Sequence, residues 1–288
     1  MTTPDIHANV MLVSLTVSQW TARKLDKRAS NAIAQANSVD EGVGSYYKSL
    51  LDPAIIKEIA RCVTAARAAY YKRTLPWSDE GPRILSAAIY FEFMEEMSKH
   101  REEFERLTNQ FLTDYPYHRE EAKRFLGNLF REEDYPEPEA LAKKFGWTMR
   151  VSPLPHATDF RCELGGEEVE KIKAQIAEET KATLQHTVRS AFERIMVVAS
   201  QYADRLSDTD NVFRDNMVEK ARELVDIMPK LNFTDDPELT RLTDVVRDKL
   251  AAHDPQVLRT NMGARQEAAA AAKTVVSDIE SFFGGATA

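Results

Sequence analysis

Cysteine is nearly absent from this chain: Cys62 and Cys162 are the only two in 288 residues. Each lacks a CxxC partner, so neither a disulfide framework nor a cysteine-rich zinc site is expected, and a reducing cytosol fits. Both thiols are read as packed side chains rather than nucleophiles. Glycine (10) and proline (12) are also scarce and clustered. Such a chain is expected to be mostly helix. Apolar runs such as Ile84 to Phe91 and Ile195 to Ala199 are too short to span a bilayer. The amino terminus, Met1-Thr2-Thr3-Pro4-Asp5, has no basic region followed by an apolar one, so no secretory signal is expected. GxSxG, Walker A, HExxH and glycine-rich phosphate loops are missing too. No catalytic residue, metal or cofactor is therefore assigned, and membrane association is not expected.

What is present is charge, unevenly placed. The chain as a whole carries −8, which argues against a protein that coats duplex DNA with its entire surface. Residues 1 to 78 nevertheless hold ten Lys/Arg against six Asp/Glu (net +4), while the remainder holds 28 against 40 (net −12). The basic part is the amino-terminal quarter.

The hydropathy pattern predicts a mainly α, elongated helical bundle with long antiparallel helices and a small inserted β-hairpin or sheet. Val10 to Val17 reads as a strand. A helix is expected from Ser18 to about Asn37, with Arg23, Lys24, Lys27 and Arg28 on one face. Asp52-Pro53 opens a second helix. Ser78 to Pro82 starts a long one with Leu85, Ile89, Phe93, Met97, Phe104, Leu107, Phe111 and Tyr115 in a stripe, broken or kinked at Pro116. Residues 131–166 form an island of prolines and strand-like segments, Trp147 to Val151 and Phe160 to Leu164, enclosing a short helix at Glu139 to Phe145. Glu167 to Leu206 predicts a helix on the order of 60 Å long. Helices after Ser207, after Asp236-Pro237 and from Met262 to Phe283 follow. Three segments result, 1–130, 131–166 and 167–288, as parts of one continuous structural unit. The island is either a contact tip at the end of a helical arm or a small sheet joined by residues 10 to 17.

The strongest chemical signal is cations interleaved with aromatics: Arg23, Lys24, Lys27, Arg28, Tyr46, Tyr47, Lys48, Arg61, Arg67, Tyr70, Tyr71, Lys72, Arg73 and Trp77. Single-stranded nucleic acid is bound by such a mixture, cations following phosphates and aromatic faces stacking on bases. The commoner reading of such a pattern is tyrosines in the core or in helix contacts, with the cations solvating a surface that faces the acidic remainder of the chain, and a third is an acidic protein partner. Trp147, Arg150, Phe160 and Arg161 in the island, with Phe282 and Phe283 near the carboxy terminus, form a second candidate set for contact with a partner. His100 with Glu103, and His118 with Glu121, have metal-compatible spacing but lack a second ligand set. Asp208 to Asn211 is read as a helix cap rather than a calcium loop.

The stretches Ser18-Gln19-Trp20 to Lys27-Arg28, Thr74-Leu75-Pro76-Trp77 to Phe93, Leu129-Phe130-Arg131-Glu132-Glu133-Asp134-Tyr135-Pro136, and Arg205-Leu206-Ser207-Asp208 to Asn232-Phe233 together resemble a phage and prophage family catalogued only as a domain of unknown function. The resemblance runs from about Val10 to the last helices. It implies a protein of tailed-phage early or DNA-metabolism regions, located in the cytoplasm of an infected bacterium. No catalytic residue is defined for that family. The expected function is non-enzymatic: binding of single-stranded DNA through the amino-terminal cations and aromatics. The alternative is a scaffold or adaptor for a phage or host protein, such as an AAA+ ATPase or an inhibited host enzyme, acting through the helical arm and hairpin. A homo-oligomer is expected in either case.

Overall fold

The computed structural model describes residues 6–78, 81–159, 166–207 and 215–284. One helical turn, α1 (Ile6–Asn9), leads into strand β1 (Val10–Ser18), then strand β2 (Arg23–Leu25), helix α2 (Lys27–Ala36) and strand β3 (Tyr47–Ser49). Helix α3 (Pro53–Arg73) begins where the Asp52 carboxylate accepts the Ala54 N–H at 2.9 Å, a cap followed by proline. Two short strands, β4 (Leu75–Pro76) and β5 (Arg83–Ser86), precede helix α4 (Tyr90–Leu126). Helix α5 (Pro138–Ala142) and strand β6 (Gly146–Ser152) lead to α6 (Gly166–Ser207), 42 residues long. Helices α7 (Asn216–Leu231), α8 (Pro237–Val246), α9 (Pro255–Thr260) and α10 (Met262–Gly284) follow, with a π-helical turn at Arg247–Ala251. The class is mainly α with a small antiparallel sheet.

Three local expectations are corrected. The helix expected from Ser18 starts only at Lys27, because Ala22 takes a left-handed backbone (φ 50°) and β2 pairs with β3. Leu85 lies in strand β5 rather than on a helix. β5 has ladder partners on both sides, β4 and β1, so its backbone groups are satisfied without helix, and Ile84 and Leu85 are both buried. Of the break or kink expected at Pro116, the break is excluded, since α4 runs through it. The missing backbone hydrogen bond is offset by burial on either side, at Phe111, Tyr115 and Ala122. The expected strand Phe160 to Leu164 and the cap at Asp208 to Asn211 lie outside the described residues.

The four-stranded sheet has the order β4-β5-β1-β6. Strand β6 of the island therefore lies beside β1, and the island contributes to a sheet that ties the amino-terminal strand to the middle of the chain.

The chain divides into two units. The first comprises residues 1–14, 71–92 and 150–288. Its core is built on α6 and α10, which run antiparallel: Phe192 meets Phe282 and Phe283 at one end, and Arg265 donates to the Arg205 carbonyl at 2.9 Å at the other. Along α6 the buried positions Ala191, Ile195, Ala199, Tyr202 and Leu206 step by four or three residues. They face small residues of α10, Ala268 and Ala272, and then Val275 and Ile279. Alanine on one helix allows close approach of the bulkier side chains of the other.

The second unit comprises residues 15–70 and 93–149. Here α3 and α4 run antiparallel, with the Cys62 thiol on the His100 carbonyl and Tyr70 against Phe93 at 6.2 Å. Trp20 packs edge-on to Tyr115 at 5.9 Å and near Phe111 at 6.1 Å. The Tyr115 hydroxyl donates to the Pro136 carbonyl at 2.9 Å, and burial pushes its phenol up to about 12. Tyr135, buried, donates to the Leu50 carbonyl at 2.5 Å, bridging residues 85 apart in sequence. Tyr135→Phe is expected to strand that carbonyl and cost about 1–3 kcal/mol. A denaturation midpoint unchanged from wild type would remove this role from the hydroxyl.

Candidate nucleic-acid interface

The pairing of β2 with β3 sorts the predicted cations. Arg23 opposes Ser49, Lys24 opposes Lys48, and Leu25 opposes Tyr47. Side chains alternate across a strand, so Arg23, Leu25 and Tyr47 share one face while Lys24 and Lys48 point to the other. On the first face Tyr47 is 52% exposed and the Arg23 guanidinium lies 5.9 Å from its ring centroid, in cation–π range. Tyr46, 37% exposed, precedes it, and the exposed Lys27 and Arg28 open α2 next to the ribbon.

The opposite face is closed by an ion network. Lys48 is only 3% exposed, and its ammonium sits 2.7 Å from Asp134, 3.1 Å from Asp26 and 2.7 Å from the Leu129 carbonyl to which it donates. Lys24 reaches the other oxygen of Asp134 at 2.7 Å. Asp26 serves two partners, since it also caps α2 by accepting the Ala29 N–H at 3.0 Å. That backbone hydrogen bond holds the Asp26 carboxyl below its usual value, burial opposing and Lys48 assisting. Burial pushes Asp134 up, but Lys24 and Lys48 outweigh it and leave it low. Burial likewise pulls Lys48 down, and the two carboxylates outweigh that and hold it high.

An apolar notch of about 310 Å³ adjoins the ribbon, lined by Ile33, Ala34, Val39, Val43 and Tyr46. Ile33 and Val43 are exposed around it.

The other predicted cations and aromatics are placed elsewhere. Arg61, exposed, pairs with Glu58 at 2.5 Å. Arg67 donates to the Val17 carbonyl at 3.2 Å, and Tyr70 is buried in the second unit. Tyr71, Lys72, Arg73 and Trp77 belong to the first unit. Tyr71 lies under the Arg83 guanidinium at 4.9 Å, Lys72 pairs with Glu223 at 3.1 Å, and Arg73 pairs with Glu92 at 2.7 Å. Trp77 is half-buried against the first core. Arg194 donates to the Tyr71 and Lys72 carbonyls at 2.8 and 2.9 Å; burial, and then Arg83, lower its guanidinium to about 10. The structure thus brings together Arg23, Lys27, Arg28, Tyr46 and Tyr47, and takes Lys48 out of solvent. The sequence reading missed Asp134 and Asp26 as the partners of Lys48. No local spacing relates Asp134 to the ribbon.

Of the partner-contact set, Trp147 is half-buried on Phe104 at 5.8 Å, and Arg150 is exposed. Phe160 and Arg161 lie outside the described residues. Phe282 and Phe283 cover Phe192 at the end of α10 and line a cleft of about 1060 Å³ in the first unit. Among the described residues no group of three or more His, Cys, Asp or Glu could hold a metal ion, and no helix is long and apolar enough to cross a membrane. Compared with protein-family models, with curated proteins and with solved structures, the chain has no match.

Proposed function

We propose that this protein acts by binding, and that the β2–β3 ribbon with the start of α2 is a site for single-stranded nucleic acid, in the setting of phage DNA metabolism that the family resemblance implies. The observation carrying this reading is the exposed Tyr47 with Arg23 over its ring, flanked by Tyr46, Lys27 and Arg28. Exposed aromatic faces accept bases of any identity, and cations beside them follow the phosphates. The apolar notch at Tyr46 offers room for a base edge next to the ribbon. Lys24 and Lys48 act indirectly in this reading, by fixing the ribbon through Asp134 and Asp26.

The test is fluorescence anisotropy with a labelled oligo-dT at several salt concentrations. Binding is expected to weaken with salt, and Arg23→Gln/Lys27→Gln/Arg28→Gln is expected to lower the log–log salt slope by about 2, at roughly 0.7 for each phosphate no longer neutralised. Tyr46→Ala/Tyr47→Ala is expected to cost about 1–3 kcal/mol per stacked base at all salts. No binding at low salt, or binding untouched by the five substitutions, rejects the site. Recovery from cells of one stoichiometric protein without nuclease-sensitive material would favour the scaffold reading instead.

A further inference from the structure

The cleft of about 1060 Å³ in the first unit takes no part in the proposed interface. It is larger than the ~300–1,000 Å³ typical of small-molecule sites. Five distant parts of the sequence meet there: α1, the turn after β6, the middle of α6, the turn before α8, and the end of α10. One wall is apolar, with Leu184 and Val188 of α6 facing the Phe282–Phe283 pair. Phe282 is 47% exposed although it stacks on the fully buried Phe192 at 5.0 Å. An aromatic face is thus held rigidly from behind and open in front.

The charged side chains around that wall are two cations and one carboxylate. Lys181 and Arg189 lie two turns apart on α6, with His7, His156 and His186 near them. Lys181 has no ion pair among the described residues. Arg189 approaches Glu193 at 3.4 Å through Nε while its guanidinium lies 4.7 Å from the Phe283 ring centroid. His156 Nδ1 lies 2.6 Å from the Thr158 hydroxyl and 3.2 Å from the Thr158 backbone nitrogen. The one carboxylate in the lining, Asp236, already accepts the Glu238 and Leu239 N–H groups as the cap of α8. Lys181 and Arg189 therefore outnumber the one carboxylate beside an apolar, aromatic floor.

We infer that this cleft binds a small amphipathic carboxylate, with its apolar body on Phe282, Phe283, Leu184 and Val188 and its carboxylate toward Lys181 and Arg189. Charge complementarity selects the anionic head, and the open aromatic face selects an apolar body over an inorganic ion. The inference is independent of nucleic-acid binding, since none of these residues belongs to the ribbon.

Calorimetric titration with two probes of the same body, 1-naphthoate and the neutral 1-naphthalenemethanol, tests it on the full chain. Naphthoate is expected to bind at least about tenfold more tightly than the alcohol. Lys181→Gln/Arg189→Gln is expected to bring naphthoate down to the alcohol's affinity and leave the alcohol unchanged. Phe282→Ala, at a half-exposed position, is expected to weaken both probes without altering the circular dichroism spectrum. Equal affinity for the two probes, full naphthoate affinity in the Gln variant, or no binding of either probe at millimolar concentration would overturn the assignment. If the Gln variant fails to fold, the comparison of the two probes on wild type still decides it.

Discussion

Lys48→Ala is expected to destabilise the second unit by about 3–5 kcal/mol, because it leaves buried Asp26 without its ion partner and buried Asp134 with only the half-exposed Lys24. Removing a partner from a buried ion cluster costs far more than the cluster contributes relative to an apolar packing, since the stranded charges keep their full desolvation penalty. Lys48→Met/Asp134→Asn should therefore lose less than Lys48→Ala, the two changes being non-additive. The measurement is urea denaturation together with hydrogen-exchange protection of amides in α2 and β3. A loss under about 1 kcal/mol for Lys48→Ala would show that water reaches the carboxylates.

The same cluster sets a pH window. Asp26 and Asp134 are held below their usual 3.8, so their contribution is complete above that pH and is lost as pH falls below it. Lys48 is held above its usual 10.5, so its contribution is complete below that pH and is lost as pH rises past it. Stability of the second unit is expected to be flat between these limits in respect of the cluster. The Lys48→Ala variant should lose the alkaline limb.

Phe192→Ala is expected to destabilise the first unit by about 3–5 kcal/mol. Phe192 is fully buried where α6 meets α10, and its ring supports both Phe282 and Phe283. Truncation removes the apolar transfer free energy and leaves a cavity that rigid helix backbones fill only in part. A calorimetric transition lowered by roughly 10 °C is the expected readout. Phe91→Ala is the control, since Phe91 is 85% exposed and should change stability by no more than about 0.5 kcal/mol. Similar losses in the two variants would mean that burial does not govern the effect.

The helices were legible because the information that makes them is local. Asp52-Pro53 and Asp236-Pro237 carry a cap and a preset φ within two residues, and the structure starts α3 and α8 there. The stripe on α6 from Ala191 to Leu206 announces a buried face without naming what covers it. The strands were less legible. Val10 to Val17 was readable from β-branching, whereas β2 and β5 look helical in isolation and become strands only because β3, and β1 with β4, supply ladder partners.

The candidate sites divide in the same way. Composition alone marked the basic, aromatic amino-terminal quarter, but Lys48 and Tyr47 are neighbours in sequence with opposite fates, one closed into the ion network and one open to solvent. Strand alternation, invisible until β2 pairs with β3, separates them. Of the cleft, the sequence marked only the Phe282–Phe283 pair, because its walls come from five separated segments. By itself, then, the sequence determined helix starts where a cap and a proline mark them, and which faces the helices must bury, since a helix bonds each residue to one four positions away. Tertiary structure decided which residues became strands, which cations stayed exposed and where a cleft opened. Those outcomes depend on partners that are distant in the chain and adjacent only once it has folded.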